Sequence, residues 1–126
     1  MLIVDDSTDI LEVLDTIFTE EGYSVATRST FDAALTALGS EPLDLLITDL
    51  RLPQGSGIEL IRHVQQRMPR PPGIILLTAA RYASIDEHEE RMLRTMRVQL
   101  VAKPFDVDHL MNVVHEMIGP GEPQPA

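Results

Sequence analysis

The chain has 126 residues, 44% of them hydrophobic and 24% charged, which is the size and composition of one ordinary soluble domain with room for a real core. Its formal charge of −10 argues against direct nucleic-acid binding, which needs clustered Lys and Arg, and the absence of cysteine excludes disulfides, thiolate catalysis and cysteine-bound zinc. No apolar run reaches the roughly 18 residues of a membrane span and no signal-peptide pattern opens the chain, so a cytoplasmic protein that does not engage membranes is expected.

Met1–Val4 is a short apolar run that reads as the first strand, starting almost at the first residue. Ile10, Leu11, Leu14, Ile17 and Phe18 then recur at helical spacing, and Gly22 can close that helix. Residues 23–28 alternate like a half-exposed edge strand. Phe31, Ala34, Leu35 and Leu38 form a second helical stripe, opened by Ser29 or Thr30 and stopped at Gly39.

Leu43–Leu50 reads as the next strand. A Pro-Gln-Gly-Ser-Gly loop leads to a third helix carrying Ile58, Ile61, Val64 and Met68, which Pro-Arg-Pro-Pro-Gly breaks. Residues 74–78, Ile-Ile-Leu-Leu-Thr, read as a fourth, buried strand. Residues 84–97 read as a helix that is acidic first (Asp86, Glu87, Glu89, Glu90) and basic later (Arg91, Arg94, Arg97). That order complements the helix dipole, so these arginines serve local stability or, failing that, a partner-binding face. Residues 98–102 are the fifth strand, and Asp106 caps a last helix bearing Leu110, Val113, Val114, Met117 and Ile118. The domain is taken as residues 1–119. Residues 120–126 are a proline-rich tail or the stub of a linker.

Five strands alternating with five helices predict an α/β, doubly wound parallel sheet covered on both faces. Ligands of such sheets collect beyond the carboxyl ends of the strands. Asp5 and Asp6 follow the first strand, Asp49 the third, Thr78 ends the fourth, and Lys103-Pro104 follows the fifth. Each has a plain structural explanation alone: a helix cap, a loop acid, a polar strand end, a solvated turn. Their coincidence on one rim argues for chemistry. Crowded carboxylates repel, and at least one would have its pKa raised. A hard divalent cation such as Mg²⁺ resolves the conflict, and Lys103 neutralises more of the charge. Asp49 can then stay ionised as a nucleophile whose natural electrophile is phosphorus, with Thr78 donating to the bound phosphoryl group.

The motifs "IVDDS" (3–7), "LLITDLRLPQGSGIEL" (45–60), "ILLTA" (75–79) and "VAKPF" (101–105) together resemble the receiver domain of two-component response regulators, over nearly the whole chain. The resemblance implies a flavodoxin-like sheet of strand order 2-1-3-4-5 with five helices, and Mg²⁺ as cofactor. It implies a sensor histidine kinase or phosphotransfer protein as phosphodonor. By position, Asp49 is the implied phosphoacceptor, Thr78 the switching hydroxyl and Lys103 the phosphate-binding lysine. Asp6 is implied as the direct metal ligand, Asp5 as its acidic partner, and the main-chain carbonyl of Arg51 as a further ligand beside Asp49. The family makes the peptide before Pro104 cis. It also implies a downstream protein or attached output domain, leaves a phosphorylation-dependent dimer open, and describes a phosphoacceptor that catalyses its own phosphorylation and dephosphorylation rather than a turnover enzyme.

The sequence departs from the family in several places. Leu100 stands where an aromatic switch residue is usual, which puts the threonine–aromatic coupling in doubt and predicts a less concerted change. The stretch from Thr78 to Lys103 is a few residues longer than usual and lacks the common Ala-Gly, so the fourth helix is expected to be reshaped. Arg51 places a long cation near the site.

Two other readings compete. Hydrolases with an aspartyl-phosphate nucleophile commonly carry Asp-x-Asp, and Arg51 occupies the place of the second acid. A degenerate receiver acting as a phosphorylation-independent docking module is opposed by the intact set of Asp5, Asp6, Asp49, Thr78 and Lys103, while Leu100 keeps it open. His63, His88, His109 and His115 share no metal-ligand spacing and read as solvated helix faces, and Arg67, Arg70 and Arg81 as surface cations.

Overall fold

The structure, a computed structural model, describes residues 1–39, 43–78, 86–96 and 98–121. The main sheet is built from β1 (Leu2–Val4), β2 (Ala26–Arg28), β3 (Leu45–Asp49), β6 (Gly73–Thr78) and β7 (Val98–Ala102), in the order β2-β1-β3-β6-β7 with every pairing parallel. Two short strands, β4 (Arg51–Leu52) and β5 (Gly55–Ser56), form a separate antiparallel hairpin. With the hairpin set aside, the main sheet follows the expected 2-1-3-4-5 order. The helices are α1 (Thr8–Glu20), α2 (Phe31–Leu38), α3 (Gly57–Arg67), α4 (Glu87–Arg94) and α5 (Val107–Ile118).

Alternation along the strands builds two cores. Leu2, Val4, Leu46, Ile74 and Leu76 pack with α2, α3 and Leu93 of α4. Ile3, Leu45, Ile47, Ile75, Leu77 and Val101 face the other way, onto Leu11, Leu14 and Phe18 of α1 and Leu110 and Val114 of α5. Buried on both faces, β1, β3 and β6 must read as continuous apolar runs. β2 and β7 lie at the edges and are only partly covered.

Each helix starts where its sequence can satisfy free amides. Ser7, Thr30, Ser56, Asp86 and Asp106 all accept a backbone N–H through their side chains, and Asp86 forms a reciprocal capping box with Glu89. After α1, Gly22 turns the chain with φ 96°, where Tyr23 N–H donates to Phe18 O and Gly22 N–H to Thr19 O. The predicted elements hold, with trimmed ends: the second strand covers 26–28 rather than 23–28, and the third 45–49 rather than 43–50. Of the helix expected over 84–97, Glu87–Arg94 is helical, while 84, 85 and 97 lie outside the described residues, as do Ala79, Arg81 and 122–126. The Glu90–Arg94 pair at 2.6 Å supports the local role for that arginine; the Arg97 side chain is among those not described.

Candidate functional site

The same alternation that forms the cores aims the site residues. Ile3, Ile47 and Val101 point to the α1/α5 face. Two residues further on, Asp5, Asp49 and Lys103 continue that side past the strand ends, where the Lys103 ammonium lies 2.6 Å from Asp5 Oδ2 and 3.2 Å from Asp49 Oδ2. Asp5 has no exposed surface and Asp49 is 9% exposed, whereas Asp6 is open to solvent. Oxygen atoms of Asp5, Asp6 and Asp49 come within 4.8 Å of one another. Thr78 ends β6 and is buried; its carbonyl accepts a 2.8 Å hydrogen bond from the Lys103 backbone amide, tying two of the strand ends together. The Lys103–Pro104 peptide is cis, as the family resemblance implies.

The backbone around Asp49 is held from several sides. Leu50 N–H donates to Leu77 O at 2.9 Å, and Gly57 N–H donates to Leu50 O at 2.8 Å. A Cβ on Gly57 would collide with the Asp49 carbonyl oxygen and come within 3.0 Å of Leu76 Cδ1, so glycine is required by this close approach. Asp5 Oδ1 accepts from the Ser7 amide at 2.9 Å.

Electrostatics follow from this packing. Burial pushes the Asp49 carboxyl above the ordinary carboxylate range and the Asp5 charge pushes it the same way; Lys103 and a hydrogen bond from the Arg51 backbone amide offset only part of the rise. Burial works against the Lys103 ammonium, but its hydrogen bond to Asp5 and the charges of both carboxylates outweigh that, and its pKa is raised.

Three carboxylates against one ammonium leave an uncompensated double negative charge when all are ionised. The donors are hard oxygens, two on buried walls and one open to solvent, which is the ligand chemistry that suits Mg²⁺ or a similar divalent ion. The residues present therefore fit the implied cation, with Asp5, Asp6 and Asp49 as its holders. Arg51 lies at the start of β4, two residues past Asp49.

The structure brings Asp5, Asp6, Asp49 and Lys103 together. It also shows what sequence reasoning missed. Lys103 bonds Asp5 as well as Asp49, and a hairpin replaces the supposed plain loop. Beside the site, Asp9, Ile10, Val13 and Leu14 of α1 and Lys103, Pro104, Phe105 and Val107 line an apolar groove of about 700 Å³. Val13, 51% exposed, is the exposed large hydrophobic residue among those described. Of the histidines, His88 and His109 are exposed as expected, but His115 differs: its Nε2 is buried without a partner, and its ring lies 6.2 Å from that of Tyr23.

Residues 1–115 match the family model described as response regulator receiver domain. The chain is 35% identical to the response regulator protein PilR of Pseudomonas aeruginosa over 90% of its length, and spans 24% of that relative. Among solved structures it is similar to a CheY-like receiver domain protein from Methanospirillum hungatei (TM-score 0.80, 25% identity, 93% and 90% of the two chains covered). It is also similar to a response regulator from Burkholderia pseudomallei solved with a phosphorylated aspartic acid, calcium ion and citrate (TM-score 0.71, 29% identity, 87% and 62% covered).

Proposed function

Since the chain belongs to the response regulator receiver domain family, we propose that Asp49 accepts a phosphoryl group from a phosphohistidine of a sensor kinase or phosphotransfer protein, with Mg²⁺ as cofactor. The observation that carries the reading is the Asp5–Lys103–Asp49 cluster at the carboxyl ends of three parallel strands, with Asp6 beside it. The similar Burkholderia pseudomallei protein, with its phosphorylated aspartic acid and bound calcium, supports it.

In the transfer, an Asp49 Oδ forms a bond to phosphorus as the phosphorus–nitrogen bond of the donor breaks. The electron pair stays on the imidazole nitrogen, which then holds or takes up a proton. A bound Mg²⁺ would neutralise charge on the transferring oxygens. Lys103 exchanges part of its contact with the carboxylates for the incoming phosphoryl oxygens, and Thr78, at the end of the neighbouring strand, supplies a hydroxyl to them. The hydrolase reading lacks its second acid, because Arg51 stands there. The phosphoryl group ends on the protein, so the chain acts as a phosphoacceptor and not as a turnover enzyme.

The apolar groove beside Lys103 gives a protein donor an anchorage next to the reacting group. Acetyl phosphate with Mg²⁺ is the direct test. A base-labile adduct on Asp49 that disappears in Asp49→Asn supports the phosphoacceptor; a chain that stays unlabelled is a docking module, and the proposal fails.

A further inference from the structure

Phe31 opens α2 on the α2/α3 side of the sheet, far in sequence from every site residue. Its ring sits in the space that a side chain on Gly55 would fill. A Cβ there would overlap Phe31 Cγ, lie 2.5 Å from Cδ2 and 2.9 Å from the Phe31 Cβ. The blocking atoms belong to the base of the side chain, fixed by a helix start whose Thr30 hydroxyl accepts the Ala33 amide at 3.2 Å. Rotation of χ1 would have to move the whole ring. An ordinary core phenylalanine needs only bulk around it, whereas here the partner has given up its side chain to let the ring in.

Gly55 opens β5, the strand paired with the one that carries Arg51. It pairs with Leu52 while Ser56 pairs with Arg51, and the next residue, Gly57, bonds Leu50 O and abuts the Asp49 carbonyl. Arg51, at the start of the same hairpin, is two residues past Asp49 in the chain. A continuous path of packing and hydrogen bonds therefore runs from the Phe31 ring to the main chain of Asp49. We infer that Phe31 is a positioning residue for the metal and phosphoryl site, acting through Gly55 to hold the β4–β5 hairpin and with it the main chain of Arg51 and of Asp49.

This inference rests on the metal-assisted phosphoacceptor reading above. Its test uses Mg²⁺ alone, titrated into the chain and followed by amide NMR, together with amide hydrogen exchange of the metal-free protein. Phe31→Ala should weaken Mg²⁺ binding about tenfold, the low end of what losing an outer support costs a metal site. It should also speed exchange at the Leu52 and Gly57 amides while leaving β1, β3 and β6 protected. Gly55→Ala should act alike, by pushing the ring away. The double variant, with the ring gone and the methyl accommodated, should bind Mg²⁺ more tightly than the product of the two single losses allows. Phe31→Leu, which keeps bulk at the helix start, covers the case in which the alanine variant fails to fold.

Wild-type Mg²⁺ affinity and wild-type hairpin exchange in Phe31→Ala or Phe31→Leu would overturn the inference, as would strictly multiplicative losses in the double variant. A wild-type chain that binds no Mg²⁺ would strike down the reading of the site instead. The metal-free exchange of Leu52 and Gly57 would then decide whether Phe31 holds the hairpin.

Discussion

Lys103 is drawn closer to Asp5 than to Asp49: its ammonium lies 2.6 Å from Asp5 Oδ2 and 3.2 Å from Asp49 Oδ2. Asp5 is fully buried, and its other carboxylate oxygen accepts the Ser7 amide. Lys103 is therefore the counter-ion that lets a buried acid exist, besides being the cation of the proposed phosphoryl site. Lys103→Met should reduce labelling by acetyl phosphate about a hundredfold, the scale of one lost electrostatic contact to a transition state. It should also destabilise the metal-free fold by about 2 kcal/mol, less than the full cost of breaking a buried pair because the ammonium is partly solvated. Urea denaturation measures the second effect. The raised pKa of Lys103 means that its stabilisation is complete below the unfolded value of 10.5 and is lost as pH climbs through the folded one. The alkaline fall in stability should be shallower in Lys103→Met.

Asp49 has the opposite consequence at neutral pH. Its pKa is raised in the fold, so its contribution is favourable below the unfolded value of 3.8 and is lost as pH rises through the folded value. Near pH 7 the ionised carboxylate is a burden on the metal-free protein. Asp49→Asn should therefore raise the metal-free thermal midpoint, by a few degrees for a gain of about 1 kcal/mol in a domain of this size, while abolishing labelling. A midpoint lower than wild type, measured without Mg²⁺ at pH 7, would contradict the electrostatic account.

Mg²⁺ should relieve the same burden. At a hundredfold excess over Kd it should stabilise the fold by about 2.7 kcal/mol, and EDTA should reverse the shift. Asp6 separates metal binding from folding, because it is exposed and not part of the Lys103 pair. Asp6→Asn should leave metal-free stability within about 0.5 kcal/mol of wild type and lose most of the Mg²⁺-dependent shift. Calorimetry with and without the ion checks both halves.

What could be read from the sequence divides along physical lines. β3 and β6 were legible because strands covered on both faces are largely apolar, and their ends are marked where Thr48-Asp49 and Thr78 interrupt the run. Thr30, not Ser29, proved to be the α2 cap, a choice that two adjacent hydroxyl residues cannot make without geometry. The β4–β5 hairpin was hidden because Pro53-Gln54-Gly55 carries a loop composition, and only the φ of 66° at Gln54 folds the chain back so that Arg51 meets Ser56. The site's membership was legible from strand ends. The sharing of Lys103 between Asp5 and Asp49, residues separated by 44 positions, depends on how three strands converge, which local patterning does not encode.

The groove beside the site predicts a division between small and protein donors. Its lining is apolar, Val13 stands exposed at its edge, and Asp9 lines it too. Val13→Glu should slow phosphotransfer from a cognate phosphohistidine protein by about tenfold, as expected for an interface anchor worth over 1 kcal/mol. Its rate with acetyl phosphate and its stability should be unchanged, since the side chain already lies in water. Equal slowing with both donors would place the defect in the chemistry and remove the groove from donor recognition.

Thr78 and α4 give the last expectation, about how phosphorylation is read out. α4 buries one side chain, Leu93, against the sheet, with Met92 and Met96 partly covered and the remaining described positions facing solvent or capping the helix. So lightly anchored an element can shift at modest cost. Leu100 packs partly buried against the same cluster and offers no ring to rotate inward, so the shift should follow Thr78 alone and be less concerted than an aromatic-coupled switch. Beryllofluoride with Mg²⁺ should move the amide resonances of residues 87–94. Thr78→Ala should remove those changes while Asp49 labelling falls by no more than about tenfold, the cost of one hydrogen bond to the phosphoryl group. Spectra of α4 that stay the same with and without beryllofluoride would rule out this helix as the output element.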